Sequence, residues 1–438
     1  MKEHIENLII GAGISGLATG HFLKKQKKKF YIIESKRNIG GVINTENING
    51  FICENGPNTV MLNNDAIVEL IGDLKLSKKI IQPTKYVKNK YFIHNGEIVS
   101  IPNSLKSFLT TKLISTKSKI KIFLRLFFFK KNKFDTVFKY ISENFGNDVH
   151  DNIIEPFLNG IYAGNTKKMS FKHSLPKLWE INKKYKGLFD YIINNNKKIK
   201  NKQPIYFKDG FETLIKSLKL RLDNEIYTNT IVSKVIKIHE KKYFVEFSSG
   251  KKITCNKIIF TINPKKIIEI LNLKINFFNK KIYNPIDVIH LAFNKKDYYK
   301  KIKGFGILSK KSENKTFLGI LLSSDIFPNV APKESKLITV LIGGEKQSNL
   351  CKLDKKKIMN KVEHEIKELL EIKNITFKKH FRWENAIPRY NISNIEFLNS
   401  EFLKKLDHYK NIYINGNFIN GISVSDCILK SKKLTENI

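Results

Sequence analysis

Arginine is scarce in this strongly basic chain. Only five of its 79 basic residues are arginines, and the other 74 are lysines; the five are Arg37, Arg125, Arg221, Arg382 and Arg389. The formal net charge of +39 at pH 7 would suit a nucleic-acid-binding protein. Dedicated nucleic-acid sites, however, favour the bidentate and stacking contacts that arginine provides and lysine does not. We therefore expect no nucleic-acid partner.

Cysteine is scarce as well, and histidine is scattered. The chain has four cysteines without any C-x-x-C pair: Cys53, Cys255, Cys351 and Cys427. No histidine stands at metal-ligand spacing from them, and the sequence contains neither H-E-x-x-H nor a nucleophile elbow. These absences predict buried free thiols, no metal site, and no metal-dependent or triad hydrolysis.

Long apolar runs are missing too. The strand-like segment NLII begins at residue 7, which leaves no room for a signal peptide before folded structure begins. We therefore expect a reducing, cytoplasmic location. The most apolar stretch is IKIFLRLFFFKK at 120–131, where about eight apolar residues fall short of the roughly 20 that cross a bilayer. This stretch is not predicted to span a membrane.

The N-terminal sequence carries a dinucleotide-binding pattern. Gly11, Gly13 and Gly16 form G-x-G-x-x-G directly after an apolar strand, and Glu34 ends the next predicted strand. These glycines permit a tight turn, close approach of the backbone to a pyrophosphate and close packing of helix on strand, while the acid accepts from a ribose hydroxyl. The alternative is a tight strand-to-helix turn that holds no ligand.

The residues after Glu34 indicate which dinucleotide is bound. ESKRNIGGVINT at 34–45 places Gly40 and Gly41 beyond the second strand, and ENGPNTV follows at 54–60. Taken alone, GPNT would be read as a Pro-Asn turn. In this order the segments resemble the FAD signature of the flavin amine oxidase superfamily, whose members bind an extended FAD.

The closing motif NGNFINGISVSDCI, at 415–428, completes this pattern. It sets two glycines before a helix whose first turn carries Ser423 and Asp426. Backbone N–H groups at such a helix start favour a phosphate or a reduced flavin. An ordinary capped helix is the alternative, because serine and aspartate are good N-caps.

Further segments extend the resemblance along nearly the whole chain. They are EPFLNGIYAGN (155–165), GFGIL (304–308), LGILLSSDIFP (318–328), VLIGGE (340–345) and WENAIPRY (383–390). Their order resembles the FAD-dependent, oxygen-dependent protoporphyrinogen oxidase family of haem biosynthesis. The resemblance implies a mixed α/β fold: a Rossmann-like FAD-binding domain, a β-rich substrate domain and a helical membrane-associating insertion.

The resemblance also assigns residues to a cofactor site. Non-covalent FAD would contact Gly11, Ala12, Gly13, Ile14, Ser15, Gly16, Glu34, Ser35, Val42, Gly56, Pro57, Asn58, Thr59, Val232, Asn417, Ile422, Ser423 and Val424.

Four further positions correspond to the family's substrate pocket: Lys90, Gly164, Phe305 and Leu308. Many relatives have arginine where this chain has Lys90, and a lysine keeps the charge for a propionate without the bidentate fork. No catalytic base is assigned, since the cofactor carries the redox step. In the family, three two-electron steps with oxygen as acceptor convert protoporphyrinogen IX to protoporphyrin IX.

The order of predicted elements divides the chain into interleaved units. FAD-binding parts are predicted at 1–78, 201–262 and 408–438. The substrate domain is predicted at 79–103, which is a hairpin with its turn at Asn95 and Gly96, and at 263–407. The segment 104–200 is predicted to be the helical insertion.

The apolar stretch at 120–131 is predicted to lie in a membrane interface. Lys119, Lys121, Arg125, Lys130 and Lys131 would face anionic lipid, and Phe123, Leu124, Leu126 and Phe127 to Phe129 would insert. A core helix is the alternative. The interfacial interpretation places the protein at the inner, cytoplasmic face of the cell membrane, where the porphyrinogen and molecular oxygen are its other partners.

Several alternatives stay open on sequence alone. Oxidation of coproporphyrinogen III would use the same fold and cofactor, although its additional propionates need further cations. Another flavin amine oxidase, a desaturase, or a lysine-rich adaptor with a vestigial flavin fold are further alternatives. Neither the electron acceptor nor the oligomeric state follows from the sequence, and a homodimer is one option.

Overall fold

A computed structural model describes residues 2–102, 104–130, 133–194, 204–275 and 281–438. Lys131, which the sequence assigns to the membrane-facing cations, lies outside these residues, as does the predicted unit boundary at 200–201.

The described residues form strands and helices in alternating groups. The strands are β1 His4–Ile10, β2 Phe30–Ile33, β3 Thr45–Ile48, β4 Phe51–Glu54, β5 Val60–Met61, β6 Ile80–Ile81, β7 Lys90–His94, β8 Glu97–Ser100, β9 Pro204–Phe207, β10 Ile226–Tyr227, β11 Val232–His239, β12 Lys242–Phe247, β13 Lys252–Phe260, β14 Tyr283–Asn294, β15 Gly306–Ser309, β16 Gly319–Leu321, β17 Ser335–Gly343, β18 Phe377–Pro388 and β19 Ile412–Ile414. The α-helices are α1 Ile14–Lys25, α2 Asp65–Asp73, α3 Leu105–Thr110, α4 Thr116–Phe127, α5 Val137–Asn144, α6 Asn147–Val149, α7 Glu155–Tyr162, α8 Phe171–Ser174, α9 Pro176–Lys184, α10 Leu188–Asn194, α11 Glu212–Leu222, α12 Pro264–Ile270, α13 Ser323–Ile326, α14 Lys355–Leu370, α15 Ile392–Glu396, α16 Lys404–Leu406 and α17 Val424–Glu436.

The first sheet joins three distant parts of the chain. β1 runs parallel to β13, with Leu8 opposite Ile258 and Ile10 opposite Phe260. On the other side of β1, β2 and β10 continue the parallel pairing. β12 pairs antiparallel with the first half of β13, and β19 pairs parallel with its last three residues. This arrangement confirms the predicted Rossmann-like fold, and the residue limits of the three FAD-binding parts stay a prediction.

The second sheet has the strand order β18, β14, β17, β16, β15, β7, β8. Helix α14 covers one of its faces with Ile358, Val362 and Ile366, which are fully buried. The β7–β8 hairpin turns at Asn95 and Gly96, whose φ angles of 54° and 80° are those of the predicted turn. Because β7 and β8 precede the helices α3 to α10 in the chain and the other strands follow them, those helices are an insertion.

The helices α3, α4 and α10 expose a group of large apolar side chains, which we call the apolar patch: Leu105, Leu109, Ile120, Phe123, Leu124, Phe127, Phe128, Phe189, Ile192 and Ile193. The Phe127 ring centroid lies 5.6 Å from that of Phe123 and 5.2 Å from that of Phe189, so α4 and α10 share one surface. In the described part of the chain, no helix is both long enough and apolar enough to cross a membrane.

Two side chains of the 120–131 stretch do not have the predicted orientation. Phe129 is only 6% exposed, so its assignment to the inserting aromatics is wrong. Arg125 donates to the carbonyl oxygens of Asn144 at 3.1 Å and Phe128 at 2.8 Å, which ties the end of α4 to α5. The sequence could not distinguish Phe128 from Phe129, because α4 ends at Phe127 and the chain then turns toward the core, where the Phe129 N–H donates to the Lys186 carbonyl oxygen.

Glu54 is buried in the core between the two sheets. It is 4% exposed and accepts hydrogen bonds from the Tyr206 hydroxyl at 2.6 Å, the Phe211 N–H at 2.9 Å and the Thr45 hydroxyl at 2.9 Å. Burial raises the pKa of this carboxyl to about 7, although the three donors favour the ionised form. These hydrogen bonds to Tyr206, Phe211 and Thr45 hold the start of the segment 54–60 in place.

The raised pKa of Glu54 leads to a prediction about stability. A carboxyl whose pKa is higher in the folded state than its unfolded value of 4.5 stabilises the fold when protonated, and this contribution is lost as pH rises to about 7. We expect the Glu54→Gln substitution to remove this loss, which is on the order of 3 kcal/mol between pH 4.5 and 7.5. Denaturant unfolding over this pH range, with exposed Glu97→Gln as control, measures the difference. Parallel pH profiles for wild type and Glu54→Gln would contradict the prediction.

Candidate active site

The G-x-G-x-x-G turn leaves no space for side chains. Gly11 follows β1, and its φ of +109° is in the left-handed region. A Cβ on Gly16 would lie 1.9 Å from the Gly11 carbonyl oxygen. Gly13 precedes α1, and a Cβ there would meet only the Gly41 Cα, at 3.9 Å. Gly11 and Gly16 are therefore required by the fold, whereas Gly13 keeps open the space in front of the helix.

The pair Gly40 and Gly41 forms the opposite wall of that space. Gly40 donates from its N–H to the Ala12 carbonyl oxygen at 2.8 Å. A Cβ on Gly41 would lie 3.2 Å from the Gly13 Cα, so the two glycine backbones face each other. The same loop also contacts the segment 54–60. The Gly56 Cα packs against Val42, and a Cβ on Gly56 would lie 1.9 Å from the Val42 carbonyl oxygen.

Glu34 lies where a ribose-binding acid is expected. Its Oε2 accepts from the Ala12 N–H at 2.9 Å, and its Oε1 accepts from the Lys36 N–H at 2.9 Å and the Ser35 hydroxyl at 3.2 Å. The Glu34 carbonyl oxygen accepts from the Thr230 N–H, two residues before Val232. The fold thus collects Glu34, Ser35 and the Val232 segment at one end of the site.

The closing motif lies at the other end. The Asn417 side-chain oxygen accepts from the Tyr283 hydroxyl and its carbonyl oxygen from the Tyr390 hydroxyl, both at 3.2 Å. Ser423 caps α17 by accepting from the Asp426 N–H at 3.1 Å. Further along α17, the Ser431 hydroxyl donates to the Ser15 carbonyl oxygen at 2.9 Å. The two ends of the chain thus form one site.

A cleft of about 180 Å³ lies between these segments. Of the predicted cofactor residues, Gly13, Ile14, Ser15, Val42, Pro57, Asn417, Ile422 and Val424 line it. Asn58 and Thr59 instead line a small neighbouring cavity, together with Glu54 and Leu321. Gly11, Ala12, Gly16, Glu34, Ser35, Gly56, Val232 and Ser423 lie around the cleft without lining it. Contact of these residues with a cofactor stays a prediction.

Ten further residues line the cleft. Six of them lie in segments that the sequence assigned to the FAD site without naming them as contacts: Gly40, Gly41, Ile43, Gly416, Phe418 and Cys427. Sequence reasoning missed the other four, which are Thr261, Ile262, Asn263 and Tyr283. Thr261 to Asn263 could have been found, because they follow β13 at the carboxyl edge of a parallel sheet, where ligands bind. Tyr283 could not, since only the pairing of distant strands brings it there. Burial raises the pKa of the Cys427 thiol.

Three of the four predicted substrate residues lie on or beside the paired strands β7 and β15 of the second sheet, although Phe305 and Leu308 pack against different hydrophobic clusters. Lys90 begins β7, opposite Gly306 of the parallel strand β15, and its Nζ lies 6.0 Å from the Phe305 ring centroid. Leu308 lies two residues further along β15 and contacts helix α7, where a Cβ on Gly160 would be 2.8 Å from Leu308 Cδ2.

The fourth predicted residue, Gly164, follows α7 and is buried. The space that a side chain would occupy there is filled by Met169, whose sulfur lies 2.9 Å from the Cβ position. Gly164 can therefore offer only its backbone. The preceding Ala163 ends α7 with a φ of 47°, and its carbonyl oxygen accepts from the Glu345 N–H at 2.7 Å and the Asn284 amide at 2.9 Å.

Comparison with known proteins identifies the fold and the cofactor class. A family model described as flavin containing amine oxidoreductase matches residues 14–432. The chain belongs to this family. Membership makes it an FAD-dependent oxidoreductase.

Named relatives cover nearly its whole length. Protoporphyrinogen oxidase 2, chloroplastic/mitochondrial, of Arabidopsis thaliana is 26% identical, with 98% of this chain and 92% of the relative aligned. Coproporphyrinogen III oxidase of Bacillus subtilis (strain 168) is 23% identical, covering 98% and 97%. The crystal structure of a proposed protoporphyrinogen oxidase from Exiguobacterium sp. 255-15 superposes with a TM-score of 0.84 at 18% identity, covering 100% and 98%.

The residues of this flavoprotein fit FAD. Gly13 and Gly41 form a cradle of bare backbone, and a Cβ on either residue would narrow it. A pyrophosphate requires such close approach to the backbone. Helix α1 has no acidic residue in its first turn, so its N-terminus offers N–H groups to a negative charge. Glu34 keeps free lone pairs for a ribose hydroxyl, since each carboxylate oxygen can accept more than the bonds described.

We expect the substitution Gly13→Val to abolish flavin retention while preserving the fold, because its side chain meets no protein atom closer than 3.9 Å at Cβ and extends into the cleft. The ratio of flavin to protein absorbance after gel filtration measures retention, and circular dichroism measures folding. Gly72→Val is the control, since a Cβ there meets nothing within 4 Å. A yellow Gly13→Val protein would show that the cradle is placed wrongly.

Proposed function

We propose that this chain is a protoporphyrinogen IX oxidase, which converts protoporphyrinogen IX to protoporphyrin IX with molecular oxygen as acceptor in haem biosynthesis. The observation that carries the proposal is the Lys90 ammonium, which lies 6.0 Å from the Phe305 ring centroid where the paired strands β7 and β15 begin. Relatives named protoporphyrinogen oxidase, aligned along almost the whole chain, support it.

The wall formed by Lys90, Phe305 and Leu308 suits a porphyrinogen. Such a substrate is a large apolar macrocycle with propionates on one edge, so its pocket needs aromatic and aliphatic surface plus a cation. Lys90 would hold a propionate, and its ammonium offers charge without a fixed fork. Phe305 and Leu308 would pack on the macrocycle. The Gly164 backbone would lie beside it, where Met169 leaves no space for a side chain.

This chain contributes binding and orientation more than proton transfer. FAD, held by the residues around the cleft, would supply the redox chemistry of each two-electron step. Of the four proposed wall residues, only Lys90 has an ionisable side chain, and its ammonium form has no lone pair to accept a proton. We therefore assign no catalytic base among them.

The proposed FAD is held non-covalently. Covalent attachment through sulfur needs a thiolate, and Cys427 is the cysteine that lines the described part of the cleft. Burial raises the pKa of its thiol, so the group stays protonated at neutral pH. Acid precipitation should accordingly release the flavin into the supernatant.

Coproporphyrinogen III is the second candidate substrate, favoured by the full-length similarity to the Bacillus subtilis enzyme of that name. The two are distinguished by mixing each porphyrinogen with the protein under anaerobic conditions, admitting oxygen and recording porphyrin fluorescence. We expect a higher kcat/KM for protoporphyrinogen IX. Faster turnover of coproporphyrinogen III would establish the second candidate, and no porphyrin from either would refute both.

We also propose that the apolar patch rests on an anionic membrane at the cytoplasmic face. Its exposed Phe, Leu and Ile side chains would lie in the headgroup region, and lysines border them on α3, α4 and the loops between: Lys106, Lys112, Lys117, Lys121 and Lys130. Isolated exposed apolar residues are common, but a contiguous group of this size on adjoining helices marks an interaction surface. A poorly soluble porphyrinogen would be collected there.

The position of Lys90 predicts a binding role. We expect Lys90→Met to raise KM several-fold with little change in kcat, because a propionate contact is the same in ground and transition states. Lys90→Arg should retain activity. Steady-state kinetics with protoporphyrinogen IX measures both, and Lys88→Met, exposed two residues earlier, is the matched control. An unchanged KM with a collapsed kcat in Lys90→Met would place this lysine at the reacting carbon or the flavin instead.

The membrane proposal predicts flotation with anionic liposomes. The triple substitution Ile120→Ser, Phe123→Ser and Phe128→Ser removes side chains that are 57%, 60% and 67% exposed, so it should lower binding and leave FAD in place. High salt should weaken the remaining binding, because charge attraction is screened over about 10 Å at 0.1 M.

The matched control replaces Val68, Leu220 and Ile231, which are exposed apolar residues outside the patch, by serine. This control should float like the wild type. If the patch variant loses flavin and aggregates, these residues belong to the core; if both variants float equally, the patch is not the membrane surface.

A further inference from the structure

Glu54 is a buried carboxyl group next to the flavin cleft, and it belongs neither to the lining of that cleft nor to the proposed substrate wall. Pro57, three residues further along the chain, lines the cleft. Three residues of extended chain span at most about 11 Å. The backbone of Glu54 is therefore close to a residue that faces the bound cofactor.

The two oxygens of this carboxyl have different surroundings. Oε1 accepts from the Tyr206 hydroxyl at 2.6 Å and from the Phe211 N–H at 2.9 Å. The Thr45 hydroxyl lies 2.9 Å from Oε2 and 3.1 Å from Oε1. A threonine hydroxyl accepts as well as donates, so a proton on Oε2 can point at Thr45 Oγ1 while the Thr45 proton points at Oε1. The ionised and the protonated carboxyl are thus both hydrogen-bonded in the same geometry.

Glu54 also lines a small polar cavity of about 20 Å³, which is enough for one water molecule. Thr59, Ser323 and Thr339 contribute hydroxyl groups to its lining. Thr339 Oγ1 lies 2.8 Å from Ser323 Oγ and 3.1 Å from His290 Nδ1, which extends the polar group into the second sheet. A cavity with this many hydrogen-bonding partners can pass a proton to the carboxyl.

The neutral groups packed around Glu54 do not change charge near neutral pH. Burial lowers the pKa of His290 to about 4, so the imidazole stays neutral. Burial raises the pKa of the Cys53 thiol to about 12 and that of the Tyr206 hydroxyl as well, so both keep their protons. None of these three side chains can take the place of Glu54 as a proton acceptor.

The charged neighbours leave Glu54 balanced between its two forms. Glu46 stays ionised, because the hydrogen bond from Lys379 lowers its pKa. Burial raises the pKa of Glu54 to about 7, and the charge of Glu212 adds to this effect. One further negative charge nearby would favour the protonated carboxyl. In a protein interior, a unit charge about 10 Å away shifts a pKa by about one unit.

We infer that Glu54 takes up a proton when the bound flavin is reduced and releases it when the flavin is reoxidised. Reduction adds two electrons and one proton to the flavin, which leaves one negative charge, and the Glu54 carboxylate takes a second proton from solvent. Reoxidation by oxygen removes both electrons and both protons as hydrogen peroxide. Glu54 would act in this way with any reducing substrate, because only the bound FAD is involved.

Spectroelectrochemical titration of the FAD-loaded protein from pH 5.5 to 9.5 tests this inference. Each proton taken up with two electrons lowers the midpoint potential by about 30 mV per pH unit, so the slope counts protons. At pH 7.5 we expect the wild type to take up about half a proton more per flavin than Glu54→Gln, and no more at either end of the range. Infrared spectra should show a carboxylic acid C=O band that appears on reduction and is missing from Glu54→Gln. Glu97→Gln, at an exposed position on β8, is the control and should match the wild type.

A second variant keeps the carboxyl and changes its surroundings. Thr45→Val removes a donor that favours the ionised form, so the extra proton uptake should be centred at a higher pH than in the wild type. This variant decides the question if Glu54→Gln does not retain its flavin.

Three outcomes would overturn the inference. They are equal proton uptake in the wild type and Glu54→Gln, an infrared band that persists in Glu54→Gln, and an uptake that Thr45→Val leaves at the same pH. The first two would assign the proton to the flavin ring or to another group. Porphyrinogen turnover is measured separately, so each of these outcomes leaves the proposed function untouched.

Discussion

The parallel pairing of β1 with β13 is the constraint on which the remaining structure depends. Six register pairs, from His4 opposite Thr254 to Ile10 opposite Phe260, hold the N-terminal strand against one that lies some two hundred and fifty residues later. The last residues of β13 then pair with β19, so the three sequence segments end at one edge. The glycine turn, Thr261 to Asn263 and the closing motif can form one cleft only because these strand ends coincide.

Backbone dominates the cofactor cleft, whereas side chains dominate the proposed substrate wall. Gly13 and Gly41 face each other across a gap that any Cβ would narrow. One hydrogen bond, from the Ser431 hydroxyl to the Ser15 carbonyl oxygen, joins helices α17 and α1 beside this gap. The proposed wall beside β7 would instead combine one ammonium group, one aromatic ring and one aliphatic side chain. This division fits a flavoprotein in which the cofactor performs the redox step and the protein supplies position.

The helical insertion shows how nearby residues of one kind take different roles. Phe128 is 67% exposed and Phe129 is 6% exposed, although they are adjacent and chemically identical. Arg125 resembles a lipid-facing cation in the sequence, but its guanidinium satisfies carbonyl groups at the end of α4. Hydrophobic periodicity identified the helix and its exposed face, while the end of the helix and the turn that follows depend on contacts with α5 and the loop before α10.

By itself, the sequence determined the elements whose cause is local. The G-x-G-x-x-G turn and the Asn95-Gly96 hairpin follow from backbone freedom and short-range hydrogen bonds, and both have the predicted form. The capping of α17 by Ser423, which the sequence offered as the alternative interpretation of the closing motif, is also local. The order of the motifs also indicated the family and its cofactor. Only the tertiary structure decided that Tyr283 and Cys427 line the cleft and that Met169 fills the space beside Gly164. These positions result from the pairing of strands far apart in the chain, and no local pattern encodes which distant residue will lie opposite.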